Sequence, residues 1–217
     1  IAFCDADDIW NKDKLKNQIK FMKSNNLNFS HTNYFVINKF GKKIGSFKVK
    51  KKIEYIDLLK SCDIGLSTVI LKKKILKKTK LFSKLKTKED FNLWLNLIKN
   101  EKYLIGINLY LASWRKLEIS LSSSISQRLI DAFRLYYNYE KFNFFKSFLS
   151  TIRLSIYYLL KEYSIRSKNI YPIKFRYILD FNKLKFDQSF IFVALNMASL
   201  SYINMLYLNS KKIIFWI

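Results

Sequence analysis

One proline, four glycines, two cysteines and a single histidine stand among 217 residues, and 16 acidic residues face 40 lysines and arginines. Each shortage excludes something. Cys4 and Cys62 have no paired spacing and no neighbouring histidine, which argues against a disulfide framework and a zinc site and fits a reducing compartment. No stretch reaches the ~20 apolar residues that a membrane-spanning helix needs. His31 lies among strand-like residues and reads as a structural or edge residue, not a catalyst. The scarcity of Gly and Pro accompanies abundant Lys, Asn, Ile, Tyr and Phe along the whole chain, the mark of a drift in residue usage with Lys as the default solvated residue. A net charge of +24 would otherwise suggest a polyanionic partner. Its densest clusters, at 48–52 and 72–78, adjoin apolar residues and read as solvated faces, so no nucleic acid is expected as a partner.

The chain opens at Ile1 without an initiator Met and stops at Ile217, each time inside an apolar run, so both ends read as cut. Residues 1–4 read as a short strand that runs into Asp5-Ala6-Asp7-Asp8. Leu15, Ile19 and Met22 then recur at helical spacing, with Asn11 as the cap. Residues 29–38 and 44–49 make a predicted hairpin that turns at Gly41. A short helix at 53–60, a strand at 65–71 and another short helix at 72–78 follow. In the predicted helix 88–100, Phe91, Trp94, Leu95 and Ile98 share one face, and Thr87 with Asp90 reads as a capping box. Residues 103–111 are strand-like and lead into Ser113-Trp114-Arg115.

From 126 to 164 the spacing predicts unbroken helix, with Phe145, Phe148, Leu149, Ile152, Ile156, Leu159, Leu160 and Tyr163 as the stripe packed on the core. The alternative is a basic amphipathic helix lying on an anionic membrane. Residues 166–169 and Pro172 mark a linker, and the strand, helix, strand pattern at 190–195, 198–208 and 212–217 reads as the opening of a second α/β unit. The expected division is a catalytic fragment at 1–125, a helical appendage at 126–165, a linker at 166–172 and a truncated second α/β domain from 173 to 217.

A strand that ends in several carboxylates crowds like charges unless a cation offsets them. Ligands of open α/β sheets sit beyond the carboxyl ends of strands, and Mg²⁺ or Mn²⁺ is held by one or two carboxylates plus substrate phosphates. Asp5 and Asp7 therefore suit a metal–diphosphate site. The plainer reading is that they favour the start of the following helix through its dipole, and a lone D-x-D triplet does not decide between the two.

Its surroundings add to it. The run Ile1-Ala2-Phe3-Cys4-Asp5-Ala6-Asp7-Asp8-Ile9-Trp10, with Lys14-Leu15 and Gln18-Ile19 behind it, resembles the D-x-D segment of family 2 glycosyltransferases. In the same order, Ser67-Thr68-Val69 with Leu71-Lys72-Lys73 resembles the stretch lining the family's acceptor side. Lys88-Glu89-Asp90-Phe91-Asn92-Leu93-Trp94-Leu95 resembles its Glu-Asp-aromatic helix start, and Trp114-Arg115 with Ser120-Leu121-Ser122 its aromatic-Arg loop. Four ordered segments over roughly the first three-fifths of the chain are more specific than any one. Leu117 departs from the pattern, standing where many members have His, and the family's base-binding strand, helix and strand are missing.

The resemblance implies an α/β nucleotide-sugar-binding fold of the glycosyltransferase A type, and an enzyme that moves a sugar from a nucleotide-sugar to a saccharide or lipid-linked acceptor with inversion. It implies Mn²⁺ or Mg²⁺ on Asp7 and Asp5, with Asp5 also beside the nucleotide ribose, and Asp90 as general base. Glu89 and Arg115 are the further expected substrate-binding residues, and Trp94 is read as core. A cytoplasmic placement follows, with contact at the inner face of the membrane. The C-terminal stub resembles the start of a teichoic-acid-type N-acetylmannosaminyltransferase family through Asp187-Gln188-Ser189 and Ala194-Leu195-Asn196. Two other classes compete: a basic nucleic-acid-binding protein, with its lysines and aromatics interleaved on one surface, and a Mg²⁺-dependent phosphoryl-transfer enzyme, which needs an Asp nucleophile and a second charged cluster at the metal.

Overall fold

The computed structural model describes residues 1–78, 82–117 and 124–166. The expected Ser120-Leu121-Ser122 loop, the linker beyond Arg166 and the second α/β unit lie outside the described residues.

The sheet is built on β2 (Phe29–Ile37), whose aromatic and β-branched residues suit a pleated, buried surface and are buried nearly throughout. It pairs in parallel with β6 (Leu104–Arg115) and antiparallel with β3 (Lys43–Phe47). The expected hairpin turn between β2 and β3 forms at Gly41, with φ +81°, a left-handed value that costs glycine nothing. Asn38 Oδ1 accepts the N–H groups of Phe40 and Lys42 there. β1 (Ile9–Trp10) lies antiparallel against the carboxyl end of β6 and completes the order β1-β6-β2-β3. β4 (Lys52–Ile53) pairs with the start of β6, and β5 (Ile70–Leu71) with the start of β2. The sheet is therefore mixed, in a mixed α/β domain.

Two predicted strands are shorter than expected. Residues 1–4 contribute one bridge, Ala2 to Ile70, with Ile1 and Leu71 exchanging backbone hydrogen bonds. In 65–71, a 3₁₀ turn at Leu66–Thr68 precedes β5. The Gly65 carbonyl accepts both the N–H and the hydroxyl of Thr68, a local bond that competes with a strand ladder.

The helix after the acidic segment, α1 (Lys14–Ser24), is present but turned. Leu15 and Ile19 are exposed, while Lys14, Gln18 and Met22 are buried. Burial of the two polar side chains is possible because both are hydrogen-bonded: Lys14 Nζ donates to Gln18 Oε1 at 2.8 Å, and Gln18 Nε2 to the carbonyls of Ser30 at 3.1 Å and Thr68 at 3.0 Å. Asp13, not Asn11, sits at the cap position, and Asn11 Oδ1 accepts the Asp13 N–H.

After α2 (Tyr55–Lys60) and a 3₁₀ stretch at Lys73–Lys78, α3 (Glu89–Ile98) is buried on nearly every side. Trp94 is fully enclosed, edge-on to Phe29 with ring centroids 5.5 Å apart, so it is core. The predicted continuous helix beyond 126 breaks instead into α4 (Ile125–Arg134), a π turn at Leu135–Tyr139 and α5 (Phe144–Arg166). Lys141, with φ +58°, interrupts the helical path, and Asn143 Oδ1 accepts the Lys146 N–H to start α5.

Ala132, Leu135, Tyr136 and Leu154 lie in one apolar cluster with Leu58, Trp94 and Leu104. The expected appendage is thus part of the same core as the sheet. The face that α5 buries is also different: Ser147, Ser150, Thr151, Leu154 and Tyr157 point inward, not the predicted Phe145–Phe148–Ile152 stripe. Small residues allow α5 to approach the domain closely. No helix among the described residues is long and apolar enough to cross a membrane.

β6 reaches β4 and the 49–51 segment closely at Gly106, where a Cβ would collide with the Lys50 carbonyl oxygen and Val49 Cγ2 and press on His31 Nε2. Gly106→Ala is expected to lower stability by roughly 1–3 kcal/mol through overpacking, read as a fall in the denaturation midpoint at unchanged m-value. An unshifted midpoint would show that the strand yields at no cost.

Candidate functional site

The acidic segment is held in place through its backbone. Its Asp5 N–H donates to Ser67 Oγ at 3.0 Å, and Trp10 Nε1 to the Ser67 carbonyl at 2.8 Å. Asp8 turns back, its N–H on the Asp5 carbonyl at 3.1 Å, and its carboxylate accepts the Arg115 N–H at 2.9 Å. Arg115 Nε donates to the Asp7 carbonyl at 2.7 Å, and its Nη1 to the carbonyls of Asn38 and Lys39, both at 3.0 Å. Asp5, Asp7 and Asp8 therefore sit at the carboxyl ends of β2 and β6, whose last residues Ile37 and Arg115 pair with each other. The Ser67–Thr68 turn, buried, is fastened beneath them by Lys14 and Gln18.

The start of α3 belongs to the same neighbourhood. Asp5, whose side chain is exposed, has its carboxyl drawn above the usual range by partial desolvation first, then by the charges of Asp7 and Glu89. Asp90 is half-buried and pushed up to about 6: desolvation and the Glu89 charge outweigh the Phe91 N–H and Lys88, and the Asp5 charge adds to the rise. Asp8 is likewise pushed up to about 6 by desolvation, against hydrogen bonds from Ser67 and Arg115, with Asp5 and Asp7 raising it further. Segments more than eighty positions apart thus act on one another's protonation. One oxygen of Glu89, Oε2, is buried and has no hydrogen-bond partner.

The capping box does not form. Thr87 gives both its N–H, at 3.0 Å, and its hydroxyl, at 3.1 Å, to Asp131 Oδ2, which also accepts the Lys86 N–H at 3.1 Å. Lys88 occupies the cap position without a side-chain bond, and Asp90 Oδ1 accepts the N–H of its neighbour Phe91 at 2.6 Å. The expected pairing of Thr87 with Asp90 is thereby removed, while Asp90 still accepts one N–H of the first turn of α3. Asp131 pays for its burial with those bonds: desolvation would raise its carboxyl, yet Gln127, Thr87 and Lys86 hold it below the ordinary value.

Of the residues singled out from the sequence, the structure brings Asp5, Asp7, Glu89 and Asp90 together. It commits the Arg115 side chain to three carbonyl oxygens that shape the acidic loop. His31 is fully buried in β2, and burial first, then the Lys161 charge, lowers it to about 3, so it stays neutral. Sequence reasoning missed Asp8, Lys14, Gln18, Ser67 and Asp131 as supports. Lys14 and Gln18 were visible as polar residues in step with Met22, but a polar residue at such a spacing is ordinarily solvated. Asp131 left no local signal.

No family model matches the chain. Over 125 residues, 57% of this chain and 48% of the relative, it is 38% identical to WfgD of Escherichia coli, named as a UDP-Glc:alpha-D-GlcNAc-diphosphoundecaprenol beta-1,3-glucosyltransferase. WfaP of the same organism carries the same activity in its name and is 36% identical over 130 residues, 60% of this chain and 51% of WfaP. A glycosyltransferase of Haemophilus influenzae is 30% identical over 165 residues, 76% of this chain and 62% of the relative. The chain is a relative of bacterial glycosyltransferases. It spans 48–62% of the length of these three relatives.

In this glycosyltransferase relative the raised carboxyls set the sign of a pH effect. With folded values of about 6 for Asp8 and Asp90 against an ordinary value near 3.9, the folded state binds more protons between about pH 4 and pH 6, so stability falls as pH rises across that window. Asp90→Asn is expected to flatten this dependence and to stabilise the folded protein at pH 7 by on the order of 1 kcal/mol, after solvent screening. Thermal melts of both proteins at pH 4.5 and pH 7 give the comparison. A variant that melts lower at both pH values would return Asp90 to a helix-supporting role.

Proposed function

We propose that the chain carries the catalytic part of an inverting, D-x-D-type glycosyltransferase of family 2, built on a glycosyltransferase A-type nucleotide-sugar fold. It transfers a sugar from a nucleotide-sugar to an acceptor hydroxyl in surface polysaccharide or glycolipid assembly. The observation that carries this reading is the acidic loop held by Ser67 and Arg115 at the carboxyl ends of β2 and β6, with Glu89 of the α3 start near enough to raise Asp5. The names of WfgD and WfaP, which specify a nucleotide-sugar donor and a diphosphoundecaprenol-linked acceptor, support a lipid-linked saccharide as acceptor, and hence work at the inner face of the membrane.

The residues present fit a hard divalent cation. The donors are all carboxylate oxygens, desolvation and then the charges of Asp7 and Glu89 raise Asp5, and a buried Glu89 oxygen is unpartnered. Among the described residues no three His, Cys, Asp or Glu side chains form a ready cage. Asp7 and Asp5 would hold Mn²⁺ or Mg²⁺, with donor phosphates and water completing its shell. Such an ion supplies charge to offset what grows on the departing diphosphate.

The chain's own residues do the rest. Asp90, with a value of about 6, is ionised at neutral pH yet more basic than an ordinary carboxylate, which suits a general base. It takes the proton of the acceptor hydroxyl as that oxygen attacks the anomeric carbon from the side opposite the diphosphate, which inverts the centre. The charge of Glu89 helps to keep Asp90 basic. Arg115, Ser67 and Asp8 fix the acidic loop, so Arg115 contributes to binding by positioning Asp7.

In the protein that carries this chain, Asp90→Asn is expected to reduce kcat by about 10²–10⁴-fold while titrations show donor binding unchanged. Asp7→Asn and excess chelator should each remove transfer without unfolding the protein. Full turnover in chelator overturns the metal assignment, and normal turnover per folded molecule for Asp90→Asn overturns the base.

A further inference from the structure

The outward face of α4 and the start of α5 carries a row of large apolar side chains, with Ser126 and Arg134 exposed beside it. Ile125, Leu129, Phe133 and Tyr137 follow one another at i, i+4 spacing, and a single ridge results. Phe133 stacks with Tyr137 at 5.5 Å and meets Phe144 edge-on at 5.4 Å between ring centroids, so the ridge continues into α5. These are not core residues: Ile125 is 66%, Phe144 67% and Phe145 54% exposed. At its start α5 turns Ser147, Ser150 and Thr151 inward and Phe144 and Phe145 outward, while Leu154 and Tyr157 further on are buried.

Charge selects the occupant. Arg128, Arg134, Lys141 and Lys146 belong to the same two helices and the turn between them, while Arg153 turns inward onto the Leu59 carbonyl. The two carboxylates between 124 and 161, Asp131 and Glu140, are both turned into the interior, at 1% and 9% exposure, where Asp131 holds Lys86 and Thr87 and Glu140 holds Lys99 at 2.8 Å. The face therefore presents large apolar side chains bordered by cations and no exposed carboxylate within those residues. A second copy of the chain would bring the same cations against one another. A bilayer rich in anionic lipid satisfies both halves, the apolar ridge entering the headgroup region and the cations meeting phosphates.

We propose that this α4–α5 face docks the enzyme on the surface of an anionic bilayer. α4 then joins the membrane to the acidic site within one helix: its outer side carries Ile125 and Leu129, and its inner side, through Asp131, fixes the residues that lead into Glu89 and Asp90. The consequence for a lipid-linked acceptor rests on the glycosyltransferase reading; the docking itself does not.

Two double variants that leave the charge unchanged, Ile125→Ser with Leu129→Ser and Phe144→Ser with Phe145→Ser, separate this face from general attraction of a basic protein to anionic surfaces. In co-sedimentation of the full protein with vesicles of phosphatidylglycerol and phosphatidylcholine, each is expected to lower the partition coefficient about tenfold, as removal of inserted apolar side chains requires. Melting curves should match the unaltered protein because the residues are exposed, and transfer to a water-soluble acceptor should be unchanged while transfer to a vesicle-embedded acceptor falls. Binding that is abolished by salt but indifferent to both variants overturns the proposal, as does an absence of vesicle binding. So does a dimer in sedimentation velocity that the variants dissolve. If vesicles bind as expected and no sugar is transferred to either acceptor, the catalytic reading fails and the docking face stands.

Discussion

Asp5, Asp7, Asp8, Glu89 and Asp90 repel one another, and the fold keeps them together. Desolvation first, and the neighbouring charges after it, push the carboxyls of Asp8 and Asp90 up to about 6. Something must hold such an arrangement in place, and here it is side chains that bind the backbone of the acidic segments. Ser67 takes the Asp5 N–H, the Arg115 guanidinium takes the Asp7 carbonyl, and Asp131 fastens the residues before α3. Because these bonds spend themselves on carbonyls and N–H groups, the carboxylates of the site are left with charge to offer a ligand.

The polar pair inside α1 belongs to the same scheme. Lys14 and Gln18 are fully buried, a costly placement that is offset when every polar atom finds a partner. Their partners include the carbonyl of Thr68, one residue beyond the serine that receives Asp5. Burial lowers Lys14 to about 8, so this support is sensitive to the water-excluding fit around it. The sheet, α1 and the Ser67–Thr68 turn thus form one fixed base for the acidic loop, while α3 and α4 form the other.

α4 faces two ways. Inward, Asp131 and Leu135 tie it to the core and to the approach to Asp90; outward, Ile125, Leu129 and Tyr137 meet solvent near cations. A helix that served only as packing would have its bulky residues turned inward. The division of faces instead puts an exposed apolar row and the contact with the segment leading to Asp90 on opposite sides of one helix.

Local sequence determined what depends on neighbours along the chain. The hairpin about Gly41, the long strand into Arg115, the helix from Glu89 and the unusual crowding of carboxylates after Cys4 were all legible, since turn chemistry, alternation and like-charge spacing act within a few residues. The crowded carboxylates themselves pointed to Asp5 and Asp7, whereas Glu89 and Asp90 were indicated only by the family resemblance. Tertiary structure decided which face of each helix is buried: α1 hides Lys14 and Gln18 while showing Leu15 and Ile19, and α5 hides serines while showing phenylalanines. It decided, too, that Thr87 bonds Asp131 rather than capping α3, and that the helices after 125 share the core. Periodicity states that a stripe exists; only the groups across from it, brought there by the sheet, settle whether the stripe or its opposite side can satisfy its polar atoms and close the core.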